Sequence, residues 1–240
     1  MCAKILTDNI FTTTCDVIVN PVNCVGVMGA GLALEFRLRY PEMYLKYVAL
    51  CEQKKLDIGL LWLYQGKDKT ILNLPTKKHW KFPSKEEYLH AGLRKFVDTY
   101  KEKNITSIAF PMLGADKGGI DPSLSLEIMK SYLDDIDIKV EIYRYDPTAK
   151  DDLFDSVKAW LRSQSQDSIA ASTGLRKNYI AKVLEAIDDP DIHQLNQLGR
   201  VSGIGIKTLE KVFSVATGVT EVEAEQSLGT AEQSSLFLDL

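Results

Sequence analysis

VNPVNCVGVMGAGLALEF, residues 19–36, is the stretch that decides how this chain folds. The apolar run 17–19 leads into Asn20-Pro21-Val22-Asn23. Glycines follow at Gly26, Gly29 and Gly31, and residues 32–40 then mix apolar and charged side chains at helical spacing. This is the pattern of a buried strand that opens through a polar turn into a helix. Glycines in such a turn let backbone N–H groups approach an anion, and the helix N-terminus adds the positive end of its dipole. The pattern recurs at residues 108–121, IAFPMLGADKGGID. One glycine-rich turn is a weak signal. Two strand–glycine loop–helix units in one domain point to two loops closing on a phosphate-rich ligand.

Working outward, strand-length apolar runs lie at 5–6, 17–19, 60–64, 71–74, 107–112 and 139–143, and helix-period segments at 29–40, 42–54, 85–103 and 122–132. Ser84 with Glu87 forms a capping box for the third helix, and Asp121-Pro122 supplies an N-cap with proline in the first turn of the fourth. Strands alternating with helices predict a three-layer α/β/α domain. Asp146-Pro147 ends the last strand, residues 150–161 form a helix that packs back, and 162–167 read as a short linker. Only helical signals follow. Within them Ile169-Ala-Ala-Ser-Thr-Gly174-Leu175 is echoed by Leu198-Gly-Arg-Val-Ser-Gly203-Ile204. Each copy has a small residue, then glycine four positions on, as two touching helices with a tight turn require. The second copy also fits a helix-hairpin-helix, Val201-Ser-Gly203-Ile-Gly205 with Lys207-Thr208, which grips phosphate through backbone N–H groups.

With 240 residues, 45% hydrophobic and 26% charged, the chain is long enough to bury a core without staples. No apolar run approaches the ~20 residues of a membrane span. The first residues lack the layout of a signal peptide. Cys2, Cys15, Cys24 and Cys51 show no metal or disulfide spacing, and three histidines are scattered, so reduced thiols in a cytoplasm and no metal or cofactor are expected. Residues 1–150 carry 21 basic and 19 acidic side chains, whereas 151–240 carry 8 and 14. Five acids and no base fall in the last twenty positions, which reads as a flexible arm. The organisation expected is 1–162, 163–218 as a small all-α domain, and an acidic tail at 219–240.

The two loops, together with Leu72-Asn73-Leu74-Pro75-Thr76-Lys77-Lys78-His79-Trp80, resemble a macrodomain of the DarTG antitoxin type over residues 4–146. The resemblance implies an ADP-ribose-binding fold with a mixed sheet that removes ADP-ribose from DNA bases. It implies that Lys77, the first lysine after Pro-Thr, attacks the distal ribose and leaves a Schiff-base-type adduct for water. Desolvation at a strand end suits such an amine; Lys78 is the neighbouring alternative, and two solvated strand-end lysines the bland one. Asn20 and Asn23 correspond to distal-ribose contacts, and a polar turn satisfying its own backbone is the competing reading. Gly29, Gly31, Gly114, Gly118 and Gly119 correspond to the diphosphate grips. Asn9, just before Ile10, stands where macrodomains carry the aspartate that reads the adenine amino group, with Asp8 as the alternative if the register slips by one. Tyr145, or Tyr143, is placed to stack on adenine. Related glycohydrolases carry an aspartate at the position of Gly118. Its absence leaves the general acid/base unassigned, with Asp116 two residues earlier. His79 and Trp80 are placed either to stack on the target base or to pack plainly.

In the helical repeat Arg176, Lys177, Lys182, Lys207 and Lys211 are candidate contacts to nucleic acid or to a protein partner, which the resemblance makes the toxin. Gln233, Leu236 and Phe237 resemble the short peptide with which bacterial proteins dock the replication sliding clamp. The function expected is an ADP-ribosyl glycohydrolase acting on DNA, single-stranded in particular. The alternatives are a non-catalytic ADP-ribose reader, and an antitoxin or scaffold that works through its C-terminal module.

Overall fold

A computed structural model of the chain describes residues 2–218; the acidic tail and the Gln233–Leu236–Phe237 peptide lie outside the described residues. Six strands form one mixed sheet: β1 (Lys4–Asp8), β2 (Val17–Asn23), β3 (Trp62–Gln65), β4 (Thr70–Lys77), β5 (Ser107–Pro111) and β6 (Lys139–Tyr145), in the order β1-β6-β5-β2-β4-β3. Only β3, paired with β4, is antiparallel. Strand alternation sorts the core into two layers. Val17, Val19, Leu72, Leu74, Ile108 and Phe110 pack toward α3 (Glu86–Thr99) and α4 (Pro122–Leu133). Ile18, Ile71 and Ala109 face α1 (Gly31–Arg39) and α2 (Pro41–Glu52). Both sheet faces are covered, which is why these strands read as continuous apolar runs.

The sheet also fixes where a ligand can enter. β2 pairs with β4 as far as Asn23, but with β5 only through Val17 and Ile18. After β2 the chain leaves toward β4 and β3; after β5 it leaves toward β6. At such a reversal a crevice opens beyond the carboxyl ends of the strands. β2 is therefore longer than the 17–19 run predicted. Residues 20–23 stay in the ladder because β4 continues opposite them, and Asn20 tolerates burial by bonding Asn73 across the pair at 2.9 Å.

Local signals at helix starts fare differently. Asp121 caps α4, its carboxylate accepting from the Ser123 and Leu124 N–H groups at 2.9 and 3.1 Å, an arrangement worth about 1 kcal/mol. The capping box expected at Ser84 does not form. The N-cap of α3 is Lys85, with no side-chain cap bond, because the Ser84 N–H is drawn to the Gly118 carbonyl at 2.9 Å.

The remaining elements are α5 (Phe154–Ser163), α6 (Gln166–Thr173), α7 (Lys177–Ala186), a 3-10 turn (Leu195–Arg200) and α8 (Ile206–Thr217). The second copy of the repeat thus opens with a 3-10 turn where an α-helix was predicted. The linker shrinks to Gln164 and Ser165, the latter capping α6. Phe154, Val157 and Leu161 of α5 join the buried cluster of α6–α8, and so does Leu38 of α1. An ionic knot seals this contact. The buried Arg39 guanidinium meets Glu35 at 2.8 Å, Asp151 at 3.2 Å and Asp152 at 2.9 Å, and lies 3.9 Å from the Phe11 ring centroid. Asn196 donates to Glu35 at 2.5 Å, the Leu195 N–H donates to Asp151 at 2.6 Å, and Arg37 pairs with Glu210 at 2.6 Å. α5 starts at Phe154 instead of 150 because Asp151 is turned inward to these partners. Among the described residues no helix is long and apolar enough to cross a membrane.

Candidate active site

The two glycine loops flank the crevice. The first runs from Asn23 to Gly31, where φ of +57° lets the chain turn into α1. The second runs from Met112 to Asp121 and closes on itself through Gly119 N–H to Ala115 O at 3.0 Å and Ile120 N–H to Gly114 O at 2.9 Å. They face one another: a Cβ added to Gly31 would lie 3.6 Å from the Asp116 carboxylate and from the Lys117 side chain. Gly29 and Gly31 are exposed on the first loop and Gly119 on the second, whereas Gly114 and Gly118 are buried against Ser84 and the second loop's own backbone.

Gly118 explains its own identity. A Cβ there would sit 2.2 Å from the Gly114 carbonyl oxygen and 2.6 Å from Ser84 Oγ. The loop as folded has no room for the aspartate that related glycohydrolases carry at this place. Asp116 is the acid that remains near the centre, with a side chain 80% exposed.

Lys77 ends β4 on the floor of this opening, half-buried, and its Nζ donates to the Lys117 carbonyl of the second loop. Burial lowers its pKa from the ordinary lysine range, and Asp116 partly offsets this. Lys78, one residue past the end of β4, turns instead to Asp57. It is exposed and paired with Asp57 at 2.7 Å, a bond that raises its pKa. The structure thus separates two lysines that were equivalent by type: Lys77 is the one that faces the crevice and sheds its proton more readily. Cys24 also lies close, its thiol donating to the Lys77 carbonyl at 3.3 Å, but burial pushes its pKa up to about 12, so it is no thiolate nucleophile.

The two asparagines are structural in this state. Asn20 is fully buried, donating to Asn73, which in turn donates to the Trp62 carbonyl at 3.4 Å; the Asn20 amide oxygen meets no protein group. Asn23 organises the first loop. Its oxygen accepts from the Val25 N–H at 3.0 Å, the Val27 N–H at 3.3 Å and the Tyr47 hydroxyl at 3.1 Å, while its amide nitrogen donates to the Val27 carbonyl at 2.5 Å.

At the far end of the crevice, Asp8 of β1 pairs in register with Tyr145 of β6. Tyr145 is 52% exposed, whereas Tyr143 is buried and bonded to Glu141 at 2.9 Å. Of the two tyrosines, Tyr145 offers a face. The Asn9 amide oxygen is taken by the Phe11 N–H at 3.0 Å, and its buried NH2 has no protein acceptor. Asn9 therefore presents a donor, where an acceptor was expected for the adenine amino group. Asp8 supplies the carboxylate at this corner. Ile10 is buried in the short 3-10 turn that follows.

The C-terminal cations do not meet this site. Lys177 pairs with Asp167 at 2.6 Å and Lys207 with Glu210 at 3.1 Å. Lys182 of α7 lies over the turn at Gly203 inside the second copy of the repeat, while Arg176, the N-cap of α7, and Lys211 on α8 are exposed. Asn73, Asp57, Tyr47 and Arg39 had not been singled out from sequence. Only Asn73 carried a signal, as a lone amide inside an apolar strand. A hollow of about 510 Å³ behind the second loop is lined by Gly119 and Lys85 together with Glu86, Glu87 and Asp121, three acids against one base, which disfavours a diphosphate there.

Residues 19–129 match the Macro domain family model. A protein of Mycobacterium tuberculosis (strain ATCC 25618 / H37Rv) named DNA ADP-ribosyl glycohydrolase is 46% identical over 110 residues, which is 44% of this chain and 31% of that protein. The solved macrodomain of Thermus aquaticus DarG is 36% identical with a TM-score of 0.55, the match covering 60% of this chain and 98% of that structure. Thermosipho africanus DarTG in complex with ADP-ribose is 32% identical with a TM-score of 0.57, over 59% of this chain and 41% of that one. The chain spans between about a third and two fifths of the length of the curated glycohydrolases it matches.

Proposed function

The chain belongs to the macrodomain family, and from that premise we propose that it binds ADP-ribose in the crevice between the β2 and β5 loops. We propose further that it hydrolyses the N-glycosidic bond joining ADP-ribose to a nucleic-acid base, in DNA. The observation that carries the catalytic part is Lys77: a partly desolvated amine, reaching from a strand end to the second loop, with lowered pKa. Its lone pair attacks the anomeric carbon of the distal ribose, and the base leaves with the bonding electrons and a proton. Loss of the amine proton and opening of the sugar ring give an imine, which water cleaves to free ADP-ribose and the lysine. The diphosphate lies between the glycine loops, against backbone N–H groups and the α1 N-terminus. Adenine lies at the Asp8–Asn9–Tyr145 corner, where a carboxylate, an amide donor and an exposed ring converge. Names of the relatives support this reading, one including ADP-ribose and others DNA. Asn20 and Asn23 act by shaping the loop that meets the distal ribose.

The helical module and the DNA-modifying toxin it would capture are part of the same proposal, as is a cytoplasmic setting, which the free thiols fit. Clamp docking through Gln233, Leu236 and Phe237 is a separate proposal that rests on sequence alone. The test of the enzyme is release of ADP-ribose from a single-stranded oligonucleotide carrying one modified base, wild type beside Lys77→Ala. Release by the wild type and none by the variant is the expected outcome. Equal release by both overturns the role of Lys77. No release by either, with calorimetry still showing ADP-ribose binding, overturns the hydrolase in favour of a reader.

A further inference from the structure

The segment TKKHWKFPSK, residues 76–85, leaves the carboxyl end of β4 with four lysines and no acid. It is folded back on itself, not extended: the Phe82 N–H donates to the His79 carbonyl at 3.1 Å and the Lys81 N–H to His79 Nδ1 at 3.2 Å. The His79 ring is thereby fixed between Trp80, nearly parallel at 5.7 Å, and Phe82 at 5.6 Å. Trp80 is 49% exposed and Phe82 64%. The segment is also stitched to the first loop, since the Cys24 N–H donates to the Lys78 carbonyl at 3.3 Å, which sets the exposed Val25 beside it. Two large rings that pack against His79 and follow Lys77 within five residues are held open to water by a tight turn, the kind of exposed apolar surface that marks a contact site. Lys81 Nζ lies 5.2 Å from the Trp80 ring centroid, and Lys77, Lys78 and Lys85 flank the rings.

We propose that Trp80 and Phe82 form a stacking platform for the nucleotides that neighbour the modified base in single-stranded DNA, with Lys81 on the backbone phosphates. This rests on the reading that the group carrying ADP-ribose is a DNA base. Lys78 is paired with Asp57 and Lys85 with Glu87, which leaves Lys81, beside the Trp80 ring, as the cation placed for a phosphate, and unpaired bases match exposed rings, which stack on any base face. A duplex hides those faces, so the platform selects unpaired DNA. The ADP-ribose crevice holds the adduct; the platform holds the strand on which it sits.

The test uses the full chain and a short, unmodified, fluorescently labelled single-stranded oligonucleotide, read by anisotropy. Trp80→Ala and Phe82→Ala are each expected to weaken binding about tenfold, in line with one lost base stack. Trp80→Phe keeps a ring and should stay near wild type. Lys81→Ala should weaken binding in low salt and differ less from wild type in high salt. All four should bind ADP-ribose as the wild type does, since none touches the crevice. Equal oligonucleotide affinity in wild type and the alanine variants overturns the platform. So does the absence of oligonucleotide binding by the wild type, equal binding of duplex, or a parallel loss of ADP-ribose binding. ADP-ribose release from the modified oligonucleotide is measured beside these. If the wild type releases none, the glycohydrolase reading fails while the anisotropy still judges the platform.

Discussion

Replacing Arg39 by alanine should destabilise the protein far more than any change at an exposed charge. The guanidinium is 6% exposed and serves Glu35, Asp151 and Asp152 at 2.8–3.2 Å, and Glu35 and Asp151 are themselves buried. Burial already raises the pKa of both carboxyls, Arg39 opposing it in each. Without the cation two buried carboxyls lose their counter-charge, which in comparable pairs costs about 3–5 kcal/mol. For a chain of this size that is a fall in Tm of roughly 6–20 °C. The loss has a pH signature. A carboxyl whose folded pKa lies above its unfolded value takes up a proton on folding, so it destabilises the fold progressively as pH rises from the unfolded pKa through the folded one. Deleting Arg39 raises both folded values further. The Tm deficit should therefore be largest at about pH 7.5 and shrink toward about pH 5, nearer the ordinary carboxylate range. Adding Glu35→Gln and Asp151→Asn to the alanine variant should recover much of the deficit at neutral pH. Thermal unfolding followed by circular dichroism at the two pH values measures all of this. A Tm within experimental error of wild type, or a deficit independent of pH, would refute the reasoning.

Asp116→Asn removes the charge that holds the Lys77 pKa up, so the rising limb of the hydrolysis–pH profile should move to lower pH; an unmoved limb would dissociate Asp116 from Lys77. Gly118→Ala should cost about 1–3 kcal/mol by overpacking against the Gly114 carbonyl and abolish measurable ADP-ribose binding in calorimetry. Asn23→Ala removes four hydrogen bonds from the first loop and should speed amide exchange at Val25 and Val27, an effect absent if the loop is held by other means. Asn20→Asp places a carboxylate at a fully buried position beside Asn73 and should lower Tm by several degrees more than Asn20→Ala, with the gap closing in acid.

How much of this was legible in the chain depended on range. The paired glycine loops, the Asp121 cap and the two-layered apolar pattern are local, and they specify a covered sheet with an anion-binding end. Lys77 was nominated by its motif, but its distinction from Lys78 was invisible until the positions of Asp57 and the second loop were known. Asn20 looked like a loop residue because its run is polar. Its partner lies 53 residues away, so nothing nearby marks it as the buried middle of a strand. Ser84 met the local rule for a cap yet was overruled by a tertiary bond from its N–H to Gly118. Trp80 was named in sequence, but neither its exposure nor the part of Phe82 beside it could be read there.

The knot around Arg39 also imposes an order in time. Asp151 follows Arg39 by 112 residues, so at roughly 5–20 residues per second a ribosome delivers it about 6–22 seconds later. Throughout that interval α1 exists with its guanidinium and Glu35 facing a surface that has not been synthesised, and Leu38 lacks the core it will enter. The glycine loop that precedes α1 can close on Asn23 and Lys78 well before α1 itself is locked in place. A nascent chain stalled before residue 151 should therefore be a substrate for chaperones until the segment before α5 that holds Asp151 and the 3-10 turn that opens with Leu195 have been made.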